Sequence, residues 1–427
     1  MESVKIALLG LGNVGKGVWN ILNMNNEEII KRAGCKIEIA KVLVKDKNKD
    51  RGINIPKEIL TTDIDDILND DDIKIVVEVM GGIEPAREYI LNSINKRKHI
   101  VTANKLLIAT HGEEIFKKAE EKEVIVNFEA SVAGGIPIIN VIKESLTGNK
   151  IKEIIGIING TTNYILTKMT SEKMDFQDAL KKAQEKGYAE ADPTSDIEGF
   201  DAAYKLAILT KLAYETNVDI NKVYREGITK ISSVDVEYAR EFGYVIKLLG
   251  IAKNVDENLE LRVHLTMIPS NHPLANVNNS YNAILLKGNA VGNLMLYGKG
   301  AGELPTGSAV VGDIISTLRN NRFNNTYTYN IEKNVVDIKE VSSEYYLRIT
   351  VKDDPGVLGQ ISTILGEEGV SISSFIQKSK VVDEGYVYIV IFTHQTLEEK
   401  LNNALNKIKD LKVVKQIDNV IRVENLD

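Results

Sequence analysis

The stretch VKIALLGLGNVG (4–15) joins a short apolar run to a glycine pattern of the form G-x-G-x-x-G. Continuous apolar character predicts a strand buried on both faces, and a helical pattern follows the glycines. In that setting Gly10 permits a tight turn, Gly12 lets the backbone approach a pyrophosphate, and Gly15 lets the helix pack closely on the strand. The stretch therefore favours dinucleotide binding over its alternative, a purely structural glycine turn.

Four further β-rich runs alternate with helical patterns up to residue 131. They are KIEIAKVLV (36–44), IKIVVEVM (73–80), HIVTA (99–103) and VIVNFEAS (124–131). Strands that alternate with helices are typical of a parallel sheet covered by crossover helices. We therefore expect an α/β protein in which residues 1–131 form a doubly wound, Rossmann-type dinucleotide-binding domain.

Beyond residue 132 the pattern predicts an α+β domain built partly of antiparallel sheet. Its first predicted elements are a helix (136–146), the strand IKEIIGIIN (151–159), a helix that starts at NGTTN (159–163), and helices near 176–186 and 197–214. We expect this domain to span 132–318, with its last helix (308–318) packing back on the first domain. The Asn-rich stretch RNNRFNNTYTYNIEKN (319–334) lacks apolar periodicity, so 319–344 is expected to be a linker. Residues 345–427 show the order β-α-β-β-α-β, a common small module.

The composition is that of an ordinary globular protein, with 43% hydrophobic and 26% charged residues over 427 positions. A net charge of −7 gives no reason to expect binding to nucleic acid or to an anionic membrane. No apolar run approaches the roughly 20 residues of a membrane-spanning helix, and strand-like sequence begins almost at once. We therefore expect a cytoplasmic protein without a leader segment. The single cysteine, Cys35, excludes an intramolecular disulfide and a cysteine-built zinc site, and the histidines lack metal-ligand spacing.

The end of the second predicted strand, KVLVKDKNK (41–49), bears on the choice of cofactor. An acidic residue at this place usually binds the adenosine ribose 2′-hydroxyl of NAD, and Asp46 could serve. Lys45 and Lys47 flank it, however, and lysines suit the 2′-phosphate of NADP. We therefore expect NADP(H), with NAD(H) as the alternative. A solvated charged turn is an equally simple interpretation of either lysine.

VEVMGG (77–82) and VTANK (101–105) each follow a predicted strand at its carboxyl end, where ligands of open parallel sheets bind. Gly81 would let a nicotinamide ribose come close. Thr102 and Lys105 belong to the same rim. For Lys105 the simplest alternative is an ordinary surface lysine.

A second glycine-rich segment, GKGAGELPTGSAVVGDI (298–314), precedes a predicted helix that Ser308 could cap. Its backbone amides, at Gly302 and Glu303, could approach a cofactor or a phosphate. A plain glycine loop is an equally good interpretation.

The stretch GYAEADPTSDIEGFDAAYK (187–205) combines five carboxylates with a lysine on an apolar helix. Asp201 and Lys205 stand four positions apart and therefore share a helix face. A partly desolvated lysine can serve proton transfer near neutral pH, and nearby carboxylates offer sites for a substrate ammonium group. The alternative is a solvent-exposed ion pair of small energetic weight.

Taken together, these segments resemble homoserine dehydrogenase. GLGNVG, VTANK, NGTTN, GYAEADPTSDIEGFDAAYK and GAGELPTGSAVVGD occur in the family's order, over about residues 3–320. The tail resembles an ACT domain over about 345–425, with DDPGVLGQIS (353–362) as its strand-to-helix turn. The family reduces L-aspartate 4-semialdehyde to L-homoserine with NAD(P)H, on the route to threonine and methionine. Because there is no room for the aspartate kinase domain of bifunctional relatives, we expect a monofunctional enzyme whose second domain is catalytic and forms dimers.

The resemblance also implies roles for individual residues. Lys205 falls where the family has its proton donor, and Lys105 matches a second lysine near the nicotinamide and the reacting carbonyl. The groups implied for the substrate's amino end are Glu190 and Asp201, with Gly187 and Asp196 beside them. Implied cofactor contacts, beyond the glycines of the first turn, are Asn13, Val14 and Gly302. The residues implied for a structural monovalent cation, Na⁺ or K⁺, held mostly by backbone carbonyls, are Glu129, Val132, Gly134 and Ile136.

The ACT-like tail implies regulation by an amino acid, most plausibly threonine, and a homo-oligomer, either a dimer or a tetramer. Such modules generally bind ligands between paired copies, near the residue that follows the proline, here Gly356. The alternative is a tail that only stabilises the oligomer. Two other readings compete with the whole assignment: a different ACT-containing Rossmann dehydrogenase, such as the phosphoglycerate type, and a non-catalytic sensor of NADP and amino acids.

Overall fold

The computed structural model describes residues 3–319, 331–377 and 385–426. Within these ranges the chain forms two compact units. The first consists of Met1–Ile158, Ala203–Lys222 and Tyr281–Lys333, and the second of Asn159–Ala202, Val223–Ser280 and Asn334–Asp427. Residues 320–330 of the linker expected at 319–344 lie outside the described residues, and the domain boundaries stay predictions.

The strands of the described residues are numbered in chain order. They are β1 (Ser3–Leu9), β2 (Lys36–Leu43), β3 (Leu60–Thr61), β4 (Ile73–Glu78), β5 (His99–Thr102), β6 (Val126–Asn127), β7 (Ile151–Ile157), β8 (Thr216–Asn217), β9 (Tyr224–Arg225), β10 (Tyr244–Val255), β11 (Asn258–Pro269), β12 (Tyr281–Gly288), β13 (Gly292–Lys299), β14 (Ile331–Glu332), β15 (Ser342–Lys352), β16 (Ile372–Gln377), β17 (Tyr386–Thr393), β18 (Thr396–Leu397) and β19 (Val414–Val423).

The helices are numbered in the same way. They are α1 (Asn13–Met24), α2 (Asn26–Ala33), α3 (Asp65–Leu68), α4 (Ala86–Asn95), α5 (Lys105–Lys122), α6 (Ile138–Asn140), α7 (Gly160–Glu172), α8 (Phe176–Glu185), α9 (Thr194–Ile197), α10 (Phe200–Tyr214), α11 (Ser233–Glu241), α12 (Glu303–Arg319), α13 (Val357–Glu367) and α14 (Glu398–Lys409).

A parallel sheet of six strands organises the first unit, in the order β3-β2-β1-β4-β5-β6. The central strand β1 is buried on both faces because the neighbours Ala7 and Leu8, which point to opposite faces, are both fully covered. The expected Rossmann-type domain is confirmed. The last strand is shorter than the predicted 124–131, because Glu129 turns out of the ladder to donate its N–H to Asp313, and Ser131 closes a short turn on Phe128.

Helix α12 packs into the core of the same unit. Val310, Val311 and Ile314 lie in one apolar cluster with residues of β1 and α1. The prediction that Ser308 caps this helix is wrong, since the helix begins at Glu303 and Ser308 lies inside it. Pro305 explains the earlier start, because proline is tolerated in the first turn, where its missing N–H is not needed.

The rest of the first unit adds an antiparallel ribbon. Strand β12 pairs with β13 on one side and with β7 on the other. The helix predicted over 136–146 is irregular: α6 covers three residues and a π-helical turn follows over Val141–Ser145.

The second unit carries the acid-rich stretch and the C-terminal module. Strands β10 and β11 form a long antiparallel hairpin, and β11 pairs in parallel with β19 at the end of the chain. The helix predicted over 197–214 is broken into α9 and α10, because Gly199 has a φ of +78°, a left-handed conformation that ends the first helix.

The C-terminal module has the predicted order β-α-β-β-α-β. Its sheet runs β19-β15-β17-β16 with antiparallel pairing throughout, and β18 adds a short pairing at the start of β15. Helices α13 and α14 bury Ile361, Leu365 and Leu401 against this sheet. The expected split βαβ module is therefore confirmed.

Candidate active site

The glycine turn after β1 has the close approaches that its pattern predicts. Gly10 has a φ of +103°, and a Cβ on Gly15 would lie 2.5 Å from the carbonyl oxygen of Gly10. A Cβ on Gly12 would meet nothing within 4 Å. Helix α1 starts at Asn13, followed by Val14, and no side chain caps its N-terminus. This end of the helix can therefore receive a phosphate group, which backbone N–H groups and the helix dipole favour.

A second pair of glycines, which the sequence did not single out, brings α12 against α1. A Cβ on Gly17 would lie 2.0 Å from the carbonyl oxygen of Glu303, and one on Gly307 would lie 2.6 Å from the carbonyl carbon of Gly17. The side chain of Glu303 accepts a hydrogen bond from Asn20 at 2.8 Å, and the preceding Gly302 has a φ of +127°. In the sequence, the small residues of GKG (15–17) and PTG (305–307) were the signal that could have indicated this close contact between helices.

Lys45 lies exposed in the loop that follows β2. The carboxylate of Asp46 accepts the N–H of Asn48 at 2.8 Å and so closes a local turn. Arg51, which the sequence reading missed, donates to the carbonyl oxygen of Asp46 at 2.7 Å. The loop therefore presents basic side chains beside a carboxylate that already has a structural use.

Glu78, at the end of β4, is a buried residue that the sequence reading also missed. Its carboxylate accepts the N–H groups of Met80 at 2.8 Å and Gly81 at 3.1 Å, and the hydroxyl of Thr102 at 2.6 Å. The carboxylate of Glu78 thus holds the loop at Gly81, where φ is +76°. The Thr102 hydroxyl is therefore bonded to the buried Glu78. Asn104 joins the loops that follow β4 and β5, because its side chain donates to the carbonyl of Gly82 at 2.6 Å. A glutamate directly after the apolar run IVV (75–77) was the sequence signal.

Lys105 is half-buried and is the first residue of α5. It therefore lies at the carboxyl edge of the parallel sheet, directly after β5. The N-cap of this helix is Asn104, whose side chain accepts the N–H of Leu107 at 3.1 Å. Because Asn104 fixes the start of α5, it also fixes the backbone position of Lys105.

Glu129 is buried, and its carboxylate is committed to a helix N-terminus. Both oxygens accept N–H groups, from Ile139 and Asn140, each at 2.8 Å. Burial raises the pKa of Glu129 and, together with the charge of Glu129, holds the pKa of Asp313 well above its ordinary value. The backbone carbonyl of Glu129 also has a hydrogen-bond partner, since it accepts the N–H of Val132 at 3.3 Å.

The other residues implied for the cation lie together in one buried bend. Val132 and Ile136 are covered, and Gly134, with a φ of +54°, packs so closely that a Cβ would lie 2.5 Å from the carbonyl oxygen of Gly300. The N–H of Gly135 donates to the carbonyl of Lys299 at 3.0 Å. The bend therefore adjoins the glycine-rich segment that precedes α12.

Lys205 is 8% exposed, and its ammonium donates to the carbonyl oxygen of Ile158 at 2.9 Å. Asp201, four positions earlier on α10, is 3% exposed. These burials exclude the solvent-exposed ion pair as the environment of either residue.

In the second unit, Asn159 bridges two of the predicted substrate groups. Its Nδ2 donates to Asp196 Oδ1 at 2.7 Å and to Asp201 Oδ2 at 2.8 Å. Its Oδ1 accepts the N–H of Thr162 at 2.8 Å and caps α7. The sequence indicated a helix start at NGTTN but not the bridge, because helix-start signals are local and the bridged residues lie on two other helices, α9 and α10.

The remaining predicted substrate residues lie on the turn after α8. Gly187 has a φ of +73°, and Glu190 is exposed. The backbone carbonyl of Glu190 accepts a bond from Gln184 at 3.1 Å, while its carboxylate has no hydrogen bond or ion pair within the described part of the chain. Thr161 ties this turn to α7 by a 2.7 Å bond to the carbonyl of Tyr188.

Gly356 lies at the strand-to-helix turn of the C-terminal module, with a φ of +87° at the N-cap of α13. A Cβ there would meet nothing within 4 Å. Over the described ranges, no cluster of three histidine, cysteine, aspartate or glutamate residues could hold a metal ion. None of the described helices has the length and apolar character to cross a bilayer.

Three family models match the chain in consecutive segments. Residues 10–129 match the homoserine dehydrogenase NAD-binding domain, residues 137–315 match homoserine dehydrogenase, and residues 345–412 match the ACT domain. The homoserine dehydrogenase of Pseudomonas aeruginosa is 45% identical over 444 residues, with 100% of each chain covered. These matches remove the phosphoglycerate-type alternative.

Solved structures agree with the sequence matches. The crystal structure of a homoserine dehydrogenase from Thiobacillus denitrificans has a TM-score of 0.94 at 44% identity, over 100% of this chain and 99% of that one. A hyperthermophilic archaeal homoserine dehydrogenase in complex with NADPH has a TM-score of 0.63 at 26% identity, over 75% of this chain and 100% of that one. The nucleotide-binding turn, the buried lysine and the bridged carboxylates therefore lie in an oxidoreductase that belongs to the homoserine dehydrogenase family and carries a C-terminal ACT domain.

Proposed function

We propose that this protein reduces L-aspartate 4-semialdehyde to L-homoserine with NADPH, on the route to threonine and methionine. The observation that carries the proposal is the pair of carboxylates, Asp196 and Asp201, that share the amide nitrogen of Asn159. Lys205 follows one helical turn after the second of them. An anchor for an amino group thus stands close in sequence to a group that can donate a proton.

The bridged carboxylates suit the ammonium end of an amino-acid substrate. Two carboxylate oxygens lie within 2.8 Å of one amide nitrogen, so the two carboxylates converge on one place. Carboxylates can accept charge-assisted hydrogen bonds from a substrate ammonium. The exposed carboxylate of Glu190, beside Gly187, offers a further acceptor to the same group.

Lys205 is the proton donor in this mechanism. When bound, NADPH supplies the hydride that reduces the aldehyde carbon. Negative charge then develops on the aldehyde oxygen, and an ammonium at that atom stabilises the charge and donates the proton. The 2.9 Å bond to the carbonyl of Ile158 holds Lys205 in place before the reaction. Lys105, at the edge of the parallel sheet, is proposed to contact the same oxygen and help orient it.

The residues of the first turn fit a dinucleotide. Open space at Gly12 and the uncapped start of α1 leave room for a pyrophosphate, while Gly10 and Gly15 allow the tight turn and the close packing of the helix. Open space at Gly81 leaves room for the nicotinamide ribose. Lys45, on the loop after β2, is proposed to bind the 2′-phosphate, which favours NADP(H) over NAD(H). The archaeal relative solved with NADPH supports the same preference.

Four further features belong to the proposal. A monovalent cation, Na⁺ or K⁺, is bound by backbone carbonyls of the bend at Val132, Gly134 and Ile136, with that of Glu129. The ACT domain makes the enzyme responsive to an amino acid such as threonine. The chain works as a homo-oligomer, a dimer or a tetramer. Its location is the cytoplasm.

Steady-state kinetics with L-aspartate 4-semialdehyde and both cofactors test the proposal. Lys205→Ala is expected to lower kcat by about 10²–10⁴-fold, the usual contribution of a general acid, with the KM for NADPH nearly unchanged. Asp201→Asn is expected to raise the KM for the semialdehyde at least about tenfold, because a charge-assisted bond is weakened. Near-normal kcat in Lys205→Ala would show that another group donates the proton.

Lys211 provides a matched control. It lies on the same helix, α10, and its ammonium also donates to a backbone carbonyl, that of Ala109, at 3.1 Å. Lys211→Met removes a largely covered lysine of the same type without touching the proposed chemistry, so its kcat is expected to stay within about threefold of the wild type. Assays in both directions near pH 7 then test whether reduction is the faster one.

A further inference from the structure

A cavity of about 520 Å³ lies in the second unit, between the last strand of the ACT module and the segment around β9. This cavity, here called the β19 cavity, is lined by Ile417–Val420, by residues 225–227, 229 and 230, by Leu265 and by Glu198. The volume falls within the range of small-molecule sites. Neither the substrate residues nor the strand-to-helix turn at Gly356 contributes to its lining.

Two of the charged groups in the β19 cavity are already satisfied. Glu226 accepts a bond from Arg422 at 2.9 Å and another from the hydroxyl of Tyr224. Asp418 accepts bonds from Thr350 at 2.7 Å and Gln416 at 2.6 Å. These carboxylates shape the wall and repel a multiply charged anion.

Two other charged groups in the same cavity are left without such bonds. Within the described ranges, the half-buried carboxylate of Glu198 and the ammonium of Lys230 form no ion pair or side-chain hydrogen bond, either with each other or with another residue. The exposed hydroxyl of Thr229 lies in the same wall. A separated anion and cation in one cavity match a ligand that carries both charges at a short distance, as an α-amino acid does.

The wall of the β19 cavity is in close contact with the turn that carries the proposed substrate carboxylates. A Cβ on Gly227 would lie 2.4 Å from the carbonyl oxygen of Ile197, and that carbonyl accepts the N–H of Ile228 at 2.8 Å. Arg225 donates to the carbonyl of Glu198 and lies 3.4 Å from the ring centroid of Phe200. Ile197, Glu198 and Phe200 stand between Asp196 and Asp201 in sequence, so this wall contacts the same turn that carries both carboxylates.

The opposite wall is attached to the helix that anchors the ACT module. Asn419 donates to Asp235 of α11 at 2.9 Å, and Asp418 lies 3.4 Å from the guanidinium of Arg348. A ligand that contacts both walls would therefore connect β19 with the substrate turn inside one unit.

We propose that the β19 cavity binds a zwitterionic α-amino acid, with Lys230 at its carboxylate and Glu198 at its ammonium, and that occupancy shifts the Asp196–Asp201 turn. The site differs from the strand-to-helix turn at Gly356. The binding itself is independent of the proposed catalytic function, and only the effect on kinetics rests on it.

Isothermal titration of the full-length protein, without substrate or cofactor, tests the binding. The probes are L-threonine, L-methionine and L-lysine. For whichever probe binds, the methyl ester lacks the carboxylate and the N-acetyl derivative lacks the ammonium, and both are expected to bind at least about tenfold more weakly. Inorganic phosphate is expected not to bind. Binding of phosphate but of no amino acid would overturn the proposal, as would the absence of any amino-acid binding.

Variants then locate the site. Lys230→Met and Glu198→Gln are each expected to weaken the bound amino acid at least about tenfold, whereas Lys412→Met, an exposed lysine of the same module, is expected to leave the Kd unchanged. Asp354→Asn probes the strand-to-helix turn. If this variant loses binding while Lys230→Met and Glu198→Gln keep it, the ligand sits at the turn and the β19 cavity is not its site.

Kinetics provide the readout for coupling. In Lys230→Met the kcat without added amino acid is expected to stay within about twofold of wild type, while the effect of the amino acid on KM for the semialdehyde is lost. Because binding is measured without turnover, an inactive protein that still binds would contradict the proposed function and leave this inference standing. An active protein that binds no amino acid would contradict this inference and leave the proposed function standing.

Discussion

Arg348 of the ACT module holds the buried carboxylate of Asp235 by two bonds, from Nε to Oδ1 at 2.7 Å and from Nη2 to Oδ2 at 3.2 Å. Asp235 is fully covered and also accepts bonds from Tyr346, Asn419 and Ser232. Burial by itself would raise the pKa of Asp235, but the charge and hydrogen bonds of Arg348 outweigh it and hold that pKa below its ordinary value. The module is therefore joined to α11 through an ionised, well-satisfied carboxylate.

Removing one partner of this pair should destabilise the second unit. Arg348→Met leaves the Asp235 charge buried without its counterion, and we expect a loss of about 3–5 kcal/mol in the free energy of unfolding, measured by urea denaturation with circular dichroism. The double variant with Asp235→Asn should recover part of the loss, because both charges are gone. The exposed pair of Lys5 and Asp72 is the control, and Asp72→Asn should leave the midpoint unchanged. A loss below about 1 kcal/mol for Arg348→Met would contradict the interpretation.

Lys247 should make stability rise with pH on the alkaline side. Burial lowers its pKa to about 8, from an ordinary value of 10.5. Between these two pKa values the unfolded chain binds more protons at Lys247 than the folded chain does. The free energy of unfolding therefore rises with pH, and the destabilisation by Lys247 is greatest below pH 8. Relative to Lys247→Met, the wild type should gain about 2–3 kcal/mol between pH 7 and pH 10.

Urea denaturation at the two pH values measures this gain. Lys412→Met, the substitution of an exposed lysine in the same unit, serves as reference and should show no comparable change relative to wild type. A pH-independent difference between wild type and Lys247→Met would mean that Lys247 titrates alike in the folded and unfolded states.

The glycine contact between α1 and α12 predicts opposite outcomes for two alanines on one helix. A Cβ at Gly307 would lie 2.6 Å from the backbone of Gly17, so Gly307→Ala should cost about 1–3 kcal/mol through overpacking. A Cβ at Gly312 would meet nothing within 4 Å, so Gly312→Ala should stabilise by about 0.4–1 kcal/mol. The single tryptophan, Trp19, lies on α1 and reports both by fluorescence during urea denaturation. Equal effects would argue against the close contact.

Lys45 should decide part of the cofactor preference. Lys45→Glu places a negative charge where the 2′-phosphate is proposed to bind, and we expect kcat/KM with NADPH to fall at least about tenfold while the value with NADH changes little. Lys36, exposed at the other end of β2, is the matched control, and Lys36→Glu should affect both cofactors alike. An equal loss with both cofactors in Lys45→Glu would assign the preference to another residue.

The parallel sheet, the glycine turn and the βαββαβ module could be predicted from the sequence because their signals are local. Apolar runs report burial of the strand that contains them, and G-x-G-x-x-G reports a turn within six residues. Where local signals were incomplete the prediction failed. The helix start predicted at Ser308 was wrong, since the helix already begins at Glu303, directly after Gly302. The helix predicted over 197–214 failed for a similar reason, because a single glycine in a left-handed conformation ends α9.

The acid-rich stretch shows most clearly what the sequence determined and what only the tertiary structure decided. The sequence determined that Asp201 and Lys205 share a helix face and that a helix starts at NGTTN, since both follow from the pattern along the chain. Only the folded chain showed that Asn159 also joins Asp196 and Asp201, which lie 37 and 42 residues away. A buried polar group requires partners, but nothing in local spacing says which distant residue supplies them. That pairing was decided by the packing of α7 against α9 and by the position of Asp201 beside Asn159.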